Sequence, residues 1–402
     1  MKSKGIWIAV SVLVVLGLLV GGFGCASAPA PAPAPAPKTV TAPAPAPKTV
    51  TAPAPAPKTV VAPASEKPKY ETLRLVEAST WPRGNLTCET GVWMAEWITD
   101  QTDGAVTWDF YSAGALAAGK EHMNAFKTGL ADLGPMASAY IPAEFPYNTL
   151  LELPYAAQYP DTLGRVGPIL YEEFDAYRAE YTKNNLQILM HIGVGPVMVH
   201  GNGPKVLTIA DMDGRKWRVP GTIGKIFVPY GVVPVTTLGS EIYSAMEQGL
   251  TTGSFLQPVD AKAYKMDEVS VWSMDAGMGL YHDSQIVVNL DRFNSLSPAL
   301  QEVFLAAEAA TLDWVTNWQA ETEVEMWKAW EAGTAAAPGG HDFYRLDDAI
   351  IAELAAAAPA VWQEVFDSKP NPAGAKAFFD RYVELAKEYD KTSVYAKIKG
   401  LR

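Results

Sequence analysis

The stretch Asp213–Gly221, DGRKWRVPG, decides the predicted fold of this chain. Within it, Lys216–Val219 alternates polar and apolar side chains between glycine and proline residues, which predicts a short strand. A helix is predicted over Ser240–Gln248, because Ser-Glu is typical of a first helical turn and a glycine follows the last residue. Arg218 stands where the predicted strand gives way to a loop. A guanidinium group in that position can enter a cleft between two lobes.

Strand and helix patterns alternate along the rest of the chain, which is typical of an α/β fold with a largely parallel sheet covered by helices. The predicted strands are Thr72–Ala78, Val106–Tyr111, Leu130–Ser138, Leu186–Ile192, Val269–Met274 and Ser284–Leu290. The predicted helices are Cys88–Asp100, Glu121–Thr128, Tyr171–Lys183, Asp347–Phe366 and Ala373–Tyr389. We expect the chain to cross into a second lobe near Val197, and the last two strands to return to the first lobe.

The segment Pro298–Gly333 has almost no helix-breaking residue and predicts one long helix. At 1.5 Å per residue its length would be ~50 Å, enough to lie across two lobes. Its tryptophans fall on one broad helical face, and we expect them to pack in the core: Trp314, Trp318, Trp327 and Trp330.

The size and charge of the chain limit its function. Its 402 residues are enough for two lobes, and 49% apolar with 19% charged residues is typical of a globular protein. The net charge is −12, and because residues 1–58 contain five lysines and no acid, the remainder carries −17. Non-specific binding of nucleic acid is therefore excluded. An anionic ligand would need a local cation, which is the role predicted for Arg218; a structural ion pair is the alternative.

Residues 1–25 have the pattern of a lipoprotein signal peptide. Two lysines precede the apolar run Ile6–Val20, which is short for a membrane span. Small residues then lead to Cys25, the predicted lipidated residue; an uncleaved N-terminal anchor is the alternative. Both interpretations place the body outside the cytoplasmic membrane. The second cysteine, Cys88, lies in an apolar helical pattern, so we expect a buried thiol rather than a disulfide.

Residues 26–69 are rich in alanine and proline and are predicted to form a disordered tether for the globular residues 70–402. Ala-Pro pairs repeat, closed by Lys-Thr-Val. Proline favours an extended conformation, and roughly forty residues at ~3.1 Å each would reach on the order of 120 Å. The tether would hold the body away from a membrane, with recruitment of a proline-binding partner as the alternative.

Four segments resemble those of the solute-binding proteins of tripartite ATP-independent periplasmic (TRAP) transporters, of the DctP type. Ala210–Pro220, ADMDGRKWRVP, is similar to the family's DLKGLKIRVP, and Ser240–Pro258, SEIYSAMEQGLTTGSFLQP, is similar to its SEVYxALQxGVVDGQENP. Tyr111–Gly134 and Leu153–Ala156 resemble two further segments, in the same order along the chain. The resemblance covers roughly Thr72 to the C-terminus.

The resemblance implies a two-lobed α/β fold of the periplasmic-binding-protein type, with a hinge and a long helix that spans both lobes. Lobe I would comprise about 70–196 and part of 283–402, and lobe II about 197–282. The lobes would close on an organic acid, and the closed form would dock on the small and large membrane permease subunits. No reaction and no cofactor are expected.

The resemblance also implies ligand-binding residues. The family's main carboxylate-binding arginine matches Arg218, whose planar fork can hold two oxygens. The family's neighbouring asparagine matches Leu256 in a gapless alignment and Gln257 after a slip of one residue, so both assignments stay open. Phe255 and Leu256 would otherwise form an apolar wall.

The matching parts of lobe I offer few polar side chains, which favours a fairly apolar organic acid over a sugar acid. Trp81 is the predicted stacking wall, with ordinary loop packing as the alternative. Ser138 and Tyr140 lie in a neighbouring loop and are further candidate ligand contacts.

A second family arginine matches Met198, so a monocarboxylate is favoured over a dicarboxylate. Lys205 and His200 are the candidate substitutes for that second cation. One subgroup of the family holds its 2-oxo acid through a sodium ion bound to a Glu-Trp pair. Phe255-Leu256 does not reproduce the pair, so no metal is predicted.

Two other functions compete with transport. An extracytoplasmic hydrolase would use the dipeptide His282-Asp283, but the sequence offers no GxSxG, Walker or GxGxxG motif beside it. A ligand sensor with the same fold would present its ligand to a receptor domain. The five histidines have no metal-ligand spacing.

Overall fold

The structure is a computed structural model that describes residues 69–117, 119, 121–219, 222–280 and 282–399. The predicted signal peptide, Cys25 and the tether as far as residue 68 lie outside the described residues.

Two mixed β-sheets form the framework. In chain order, the strands are β1 (Leu73–Ala78), β2 (Val106–Tyr111), β3 (Leu133–Met136), β4 (Leu186–Val194), β5 (Met198–Gly201), β6 (Lys216–Arg218), β7 (Val233–Val235), β8 (Gly253–Leu256), β9 (Trp272–Asp275), β10 (His282–Asn289) and β11 (Asp342–Arg345). The first sheet has the order β2-β1-β3-β10-β4, and the second has the order β11-β9-β5-β8-β6-β7. We call the part around the first sheet lobe I and the part around the second sheet lobe II.

Helices cover both sheets and connect them. In chain order, they are α1 (Leu86–Gln101), α2 (Glu121–Lys127), α3 (Pro160–Glu173), α4 (Asp175–Thr182), α5 (Ile242–Glu247), α6 (Pro258–Ala263), α7 (Leu290–Ser295), α8 (Pro298–Ala332), α9 (Asp348–Asp367), α10 (Pro372–Asp390) and α11 (Val394–Ile398). The start of α1 is fixed by Asn85, whose side-chain oxygen accepts hydrogen bonds from the backbone N–H groups of Thr87 and Cys88. This is the usual capping role of asparagine, which satisfies amides that have no partner within the helix.

The sheets differ from the prediction in one assignment. β10 runs antiparallel to β3 and β4, and β5 runs antiparallel to β8 and β9, whereas the other strands of each sheet share one direction. Both sheets are therefore largely parallel, as predicted, with one reversed strand in each. The prediction that Val269–Met274 returns to the first lobe is wrong, because β9 pairs with β5 and β11 in the second sheet. β11 also adds a strand to lobe II from beyond residue 282.

The predicted helix Tyr171–Lys183 is divided in two. Phe174 has extended backbone angles, φ −117° and ψ 97°, and separates α3 from α4. The ring of Phe174 packs against Phe378 of α10 at a centroid distance of 5.1 Å. A tertiary contact therefore accompanies the break, which local periodicity does not reveal.

The long helix α8 is confirmed and has 35 residues. It packs against α1 and β4 of lobe I and against α6 and β11 of lobe II. Its tryptophans divide into two groups. Trp330 is buried, whereas the half-buried Trp314 stacks between Trp93 of α1 and Trp318, at centroid distances of 5.1 and 5.3 Å.

One buried apolar cluster runs through both lobes. It contains Leu75 and Ile192 of the first sheet, Val199 and Trp217 of the second sheet, and Phe304 of α8. The lobes therefore share an interior along α8.

Candidate functional site

A cavity of about 280 Å³ lies between the two lobes. Lobe I contributes Thr80, Trp81, Pro82, Ala113, Gly119 and Tyr140. Lobe II contributes Leu238, Gly239, Ser240 and Tyr264. None of these described lining residues carries a formal charge, and the volume is near the lower end of that found for small-molecule sites.

Arg218 ends β6 and is 2% exposed. Its Nη2 and Nε donate to the carbonyl oxygen of Thr237 at 3.1 and 3.4 Å, and its Nη1 donates to the carbonyl oxygen of Phe255 at 3.4 Å. β6 lies between β8 and β7 in the second sheet, so the strand pairing fixes the base of the side chain. The guanidinium is thus held in place by neutral carbonyl groups of lobe II.

The electrostatic environment of the Tyr140 hydroxyl involves residues of both lobes. Burial raises the pKa of Tyr140, whereas the Arg218 charge and hydrogen bonds from the Gly239 backbone N–H and from Trp81 lower it. Tyr140 belongs to lobe I, and Arg218 and Gly239 belong to lobe II. The same environment, one cation and two N–H donors, would stabilise a carboxylate oxygen.

Aromatic rings from both lobes wall the cavity. Trp81 and Tyr140 are stacked, with centroids 6.2 Å apart and an interplanar angle of 26°. Tyr264, which follows α6 of lobe II, packs against the same buried cluster around Trp81. Gly239 faces this wall closely, because a Cβ atom placed there would lie 2.7 Å from the Tyr264 hydroxyl. The body of a ligand would therefore contact flat apolar surfaces.

Gln257 is fully buried at the start of α6 rather than in the cavity lining. Its Oε1 accepts from Val259 N at 3.2 Å and from Gln319 Nε2 of α8 at 3.4 Å. Asp260, three residues further on, is also buried, and desolvation raises its pKa to about 7, although the hydrogen bond from Leu86 N–H opposes the increase. Gln257 thus contacts the long helix α8 and is not among the residues that line the cavity.

The structure places the remaining candidate contacts inside the lobes. Ser138 is buried and accepts from Asn148 Nδ2 at 2.5 Å. The Phe255 ring packs against Trp217 and Phe227 in the core of lobe II, at centroid distances of 5.8 and 5.5 Å. A second buried cluster contains Leu256, and Met198 pairs with it across β5 and β8. The described cavity lining contains Trp81, Tyr140 and Tyr264, but not Phe255 or Leu256.

The candidate second cations have other partners. Lys205 Nζ lies 3.0 Å from Asp342 Oδ2 at a half-exposed position. His200 is buried, its Nδ1 lies 2.8 Å from Ser273 Oγ, and desolvation lowers its pKa to about 3. Neither residue therefore supplies a second positive charge to the cavity.

The side chains of His282 and Asp283, the dipeptide considered for a hydrolase, have different surroundings. Asp283 Oδ2 lies 2.9 Å from Nδ1 of His191, inside lobe I, and accepts from Gln285 Nε2 at 2.6 Å. Burial lowers the pKa of His282 to about 4. Consecutive residues of a strand point to opposite faces, so His282 and Asp283 do not form a dyad. Among the described residues, no group of three or more His, Cys, Asp and Glu residues could hold a metal ion.

Leu238, Gly239, Tyr264 and Asp260 were not predicted from the sequence. The Gly239–Ser240 pair borders the recognised motif at Ser240 and was the available signal for that part of the lining. Tyr264 and Asp260 lie beyond Pro258, where the quoted motif ends, and no local pattern singles them out.

These features define a two-lobed binding protein with a small cavity at the interface of its lobes. Residues 78–369 match the family described as bacterial extracellular solute-binding protein, family 7 (DctP), and the chain belongs to this family. The family is one of transport binding proteins rather than a class of enzymes, as the resemblance implied.

Known relatives share the fold at low sequence identity. A monocarboxylate 2-oxoacid-binding periplasmic protein of Nostoc sp. is 22% identical over 299 residues, which are 72% of this chain and 81% of that protein. A TRAP solute-binding protein from Rhodoferax ferrireducens, in complex with copurified benzoate, is similar with a TM-score of 0.71 and 18% identity over 80% of this chain and 100% of that one. A marine-metagenome TRAP solute-binding protein specific for aromatic acids, in complex with 3-hydroxybenzoate, is similar with a TM-score of 0.70 and 19% sequence identity. The match covers 80% of this chain and 99% of that one. The predicted two-lobed α/β fold is confirmed.

Proposed function

We propose that the protein is the solute-binding component of a TRAP transporter and captures a small, fairly apolar organic monocarboxylate. The observation that carries the proposal is the aromatic, uncharged cavity between the lobes, whose lining residue Tyr140 lies within the electrostatic influence of the buried cation Arg218. A carboxylate bound there would be held by a cation of lobe II and by donors from both lobes. Closure would then remove the ion pair from water. A charge-assisted hydrogen bond is stronger in such a water-free environment.

The walls support a ligand with one charged end and an apolar body. The described lining offers aromatic rings and small residues, and neither Lys205 nor His200 is available as a second cation. A second carboxylate would be buried without a partner, which is costly. The ligands of the relatives agree with this class: the Nostoc protein is named for monocarboxylate 2-oxo acids, and two structural neighbours hold benzoate and 3-hydroxybenzoate.

The cellular arrangement follows from the sequence. The signal pattern in residues 1–25 would place a lipid on Cys25, and the Ala/Pro-rich residues 26–69 would tether the body to the outer face of the cytoplasmic membrane or in the periplasm. The closed form would deliver its ligand to the small and large permease subunits. Binding shifts the lobes towards the closed form by as much as the ligand prefers that form.

A thermal-shift and calorimetry panel tests the function. Benzoate, 3-hydroxybenzoate and pyruvate are compared with succinate, and the acid that copurifies with the protein is identified by mass spectrometry. We expect at least one monocarboxylate to bind with a higher affinity than succinate and to be recovered unchanged. At 100 times its dissociation constant it would stabilise the fold by about 2.7 kcal/mol. Chemical turnover, or preference for succinate, would contradict the proposal.

Arg218→Ala, with Arg215→Ala as the matched control, tests the anchor. Arg215 lies on the same segment, and its Nε donates to the Asp211 carbonyl oxygen. We expect Arg218→Ala to weaken binding by at least 100-fold, because the ligand carboxylate loses its cation. Arg215→Ala should bind normally. Equal effects of the two substitutions would mean that Arg218 has no specific contact with the ligand.

A further inference from the structure

We infer that Asp260 is a positioning residue for ligand capture: its side chain fixes the start of α1, and with it the cavity wall at Trp81, to the lobe that carries Arg218. The importance of this contact for capture rests on the proposed function. The contact itself can be tested without a ligand.

The geometry is a pair of hydrogen bonds that cross from one lobe to the other. Asp260 lies on α6 of lobe II, and its Oδ1 accepts from Asn85 Nδ2 at 2.7 Å and from Leu86 N at 3.0 Å. Asn85 and Leu86 belong to lobe I and are separated from Asp260 by about 175 residues of chain. All three residues are buried. One oxygen atom thus joins a helix of lobe II to the first turn of α1.

The bonds reach the cavity wall through a tight turn. Asn85 N donates to the Pro82 carbonyl oxygen at 3.2 Å, while the Asn85 side chain caps α1. Pro82 and Trp81 line the cavity directly. A shift of Asn85 would therefore move both the capped end of α1 and the ring of Trp81.

The same helix of lobe II is joined to the shared core. Gln257 caps α6 three residues before Asp260, and Gln319 of α8 contacts it while donating to the Gly195 carbonyl oxygen at 2.6 Å. Gly195 lies in the crossing between β4 and β5. Buried polar contacts thus join α6 to α1 at one residue, and α6 to α8 and the crossing between the lobes at another.

The charges around Asp260 come from two elements, β6 and α8. Arg218 of β6 lowers the pKa of Asp260, and Glu323 of α8 raises it. In return, Asp260 raises the pKa of Tyr140 beside the cavity. The Asp260 carboxyl group therefore interacts electrostatically with Arg218, the cation proposed to bind the ligand, and with the Tyr140 hydroxyl.

Three variants separate the hydrogen bonds from other effects of substitution. Asp260→Asn keeps an oxygen that can accept from both lobe I donors, whereas Asp260→Ala removes it. Asp161→Ala is the matched control, because Asp161 is equally buried and accepts from Ser393 Oγ and Val394 N at 2.6 and 2.8 Å, away from the cavity. Hydrogen exchange of the full-length, ligand-free protein is measured on peptides that cover residues 81–90.

We expect Asp260→Ala to speed exchange in residues 81–90 at least tenfold, and Asp260→Asn to leave it within twofold of the unmodified protein. Asp161→Ala should speed exchange near residue 394 and leave residues 81–90 unchanged. If Asp260→Ala leaves residues 81–90 unchanged, or if Asp260→Asn is as fast as Asp260→Ala, the inference is wrong. If Asp260→Ala does not fold, the test rests on Asp260→Asn alone. Faster hydrogen exchange of residues 81–90 in Asp260→Asn, beyond twofold, would then overturn the inference.

Calorimetry with benzoate as the probe then separates the inference from the proposed function. If the unmodified protein binds benzoate, we expect Asp260→Ala to weaken binding tenfold or more and Asp260→Asn to restore it to within threefold. Normal benzoate binding by Asp260→Ala would overturn the role in capture. If the unmodified protein does not bind benzoate, that result counts against the proposed ligand class, and the exchange data still judge the contact between the lobes.

Discussion

Lys399 lies 3.6 Å from the ring centroid of Trp327, so that the ammonium group of one residue covers the aromatic face of the other. The same ammonium group is 2.5 Å from Glu323 Oε2, and both side chains are nearly inaccessible. Glu323 also accepts from the Tyr395 hydroxyl at 2.5 Å. The C-terminal helix α11 is thereby joined to the C-terminal third of α8.

The buried pair leads to the first prediction. Lys399→Ala should destabilise the fold by about 3–5 kcal/mol, because it leaves the Glu323 carboxylate buried without its cation. Lys391→Ala is the control, since the Lys391–Glu388 pair is exposed and should contribute about 1 kcal/mol or less. Urea unfolding measures both. Equal small effects would show that Glu323 does not depend on Lys399.

Gly239 provides a prediction for the cavity. Gly239→Ala places a methyl group near the Tyr264 hydroxyl, so we expect ligand affinity to fall about tenfold while the ligand-free melting temperature changes by a few degrees at most. Gly339→Ala is the matched control, because its added Cβ would meet nothing within 4 Å. Thermal shift with and without the identified acid gives both quantities. Unchanged affinity in Gly239→Ala would place the ligand elsewhere.

A buried carboxyl group of lobe I predicts a pH dependence. Burial raises the pKa of Glu77 to about 8, against a smaller opposite effect of Arg83. Because the pKa of the folded state is raised, the contribution of neutral Glu77 to stability is complete below pH 4.5 and is lost as the pH rises through about 8. We expect this contribution to lower the melting temperature between about pH 4.5 and pH 8, and to level off above pH 8.

Glu77→Gln should reduce that fall, since an amide does not ionise. The control is Glu388→Gln at an exposed position, which should leave the pH profile unchanged. Each unit of pKa shift corresponds to about 1.4 kcal/mol at most, so differential scanning calorimetry can resolve the difference. A pH profile of Glu77→Gln identical to that of the unmodified protein would assign the effect to other groups.

Cys88 predicts a difference in thiol reactivity. The side chain is fully buried, and desolvation raises its pKa to about 12. A thiol in this environment reacts slowly, because the thiolate is the nucleophile. In a Cys25→Ser background, we expect a thiol reagent to label Cys88 in urea and to leave it unlabelled in native buffer. Rapid native labelling would mean that the N-terminal half of α1 opens readily.

Local patterns were sufficient for the long and regular elements. β2 follows its predicted limits, Val106–Tyr111, because polar and apolar side chains alternate there, and α8 follows from an unbroken run of helix formers. Short strands such as β8 and β11, of four residues each, carry too little periodicity to be recognised. Their pairing depends on partners distant in the chain.

The candidate site was predictable where a motif marks it. Arg218 stands out through the strand motif, and Trp81 through its place in a loop after β1. Tyr264 and Gly239 join the cavity through folding of lobe II over lobe I, which no local pattern encodes. Phe255 and Leu256 alternate along a strand, but both faces of β8 are covered, so their side chains enter the interior. The ligand roles of these residues stay predictions.

The apolar cluster that joins the two sheets along α8 has a consequence for engineering. Residues of both lobes, such as Leu75 and Trp217, lose their packing partners if either half is removed, so neither half should fold as an independent module. Grafting lobe II from a relative would require its matching α8, since the donor and the recipient meet within a single interior. Chimeras that exchange only surface loops around the cleft avoid this constraint and offer the simpler route to altered ligand preference.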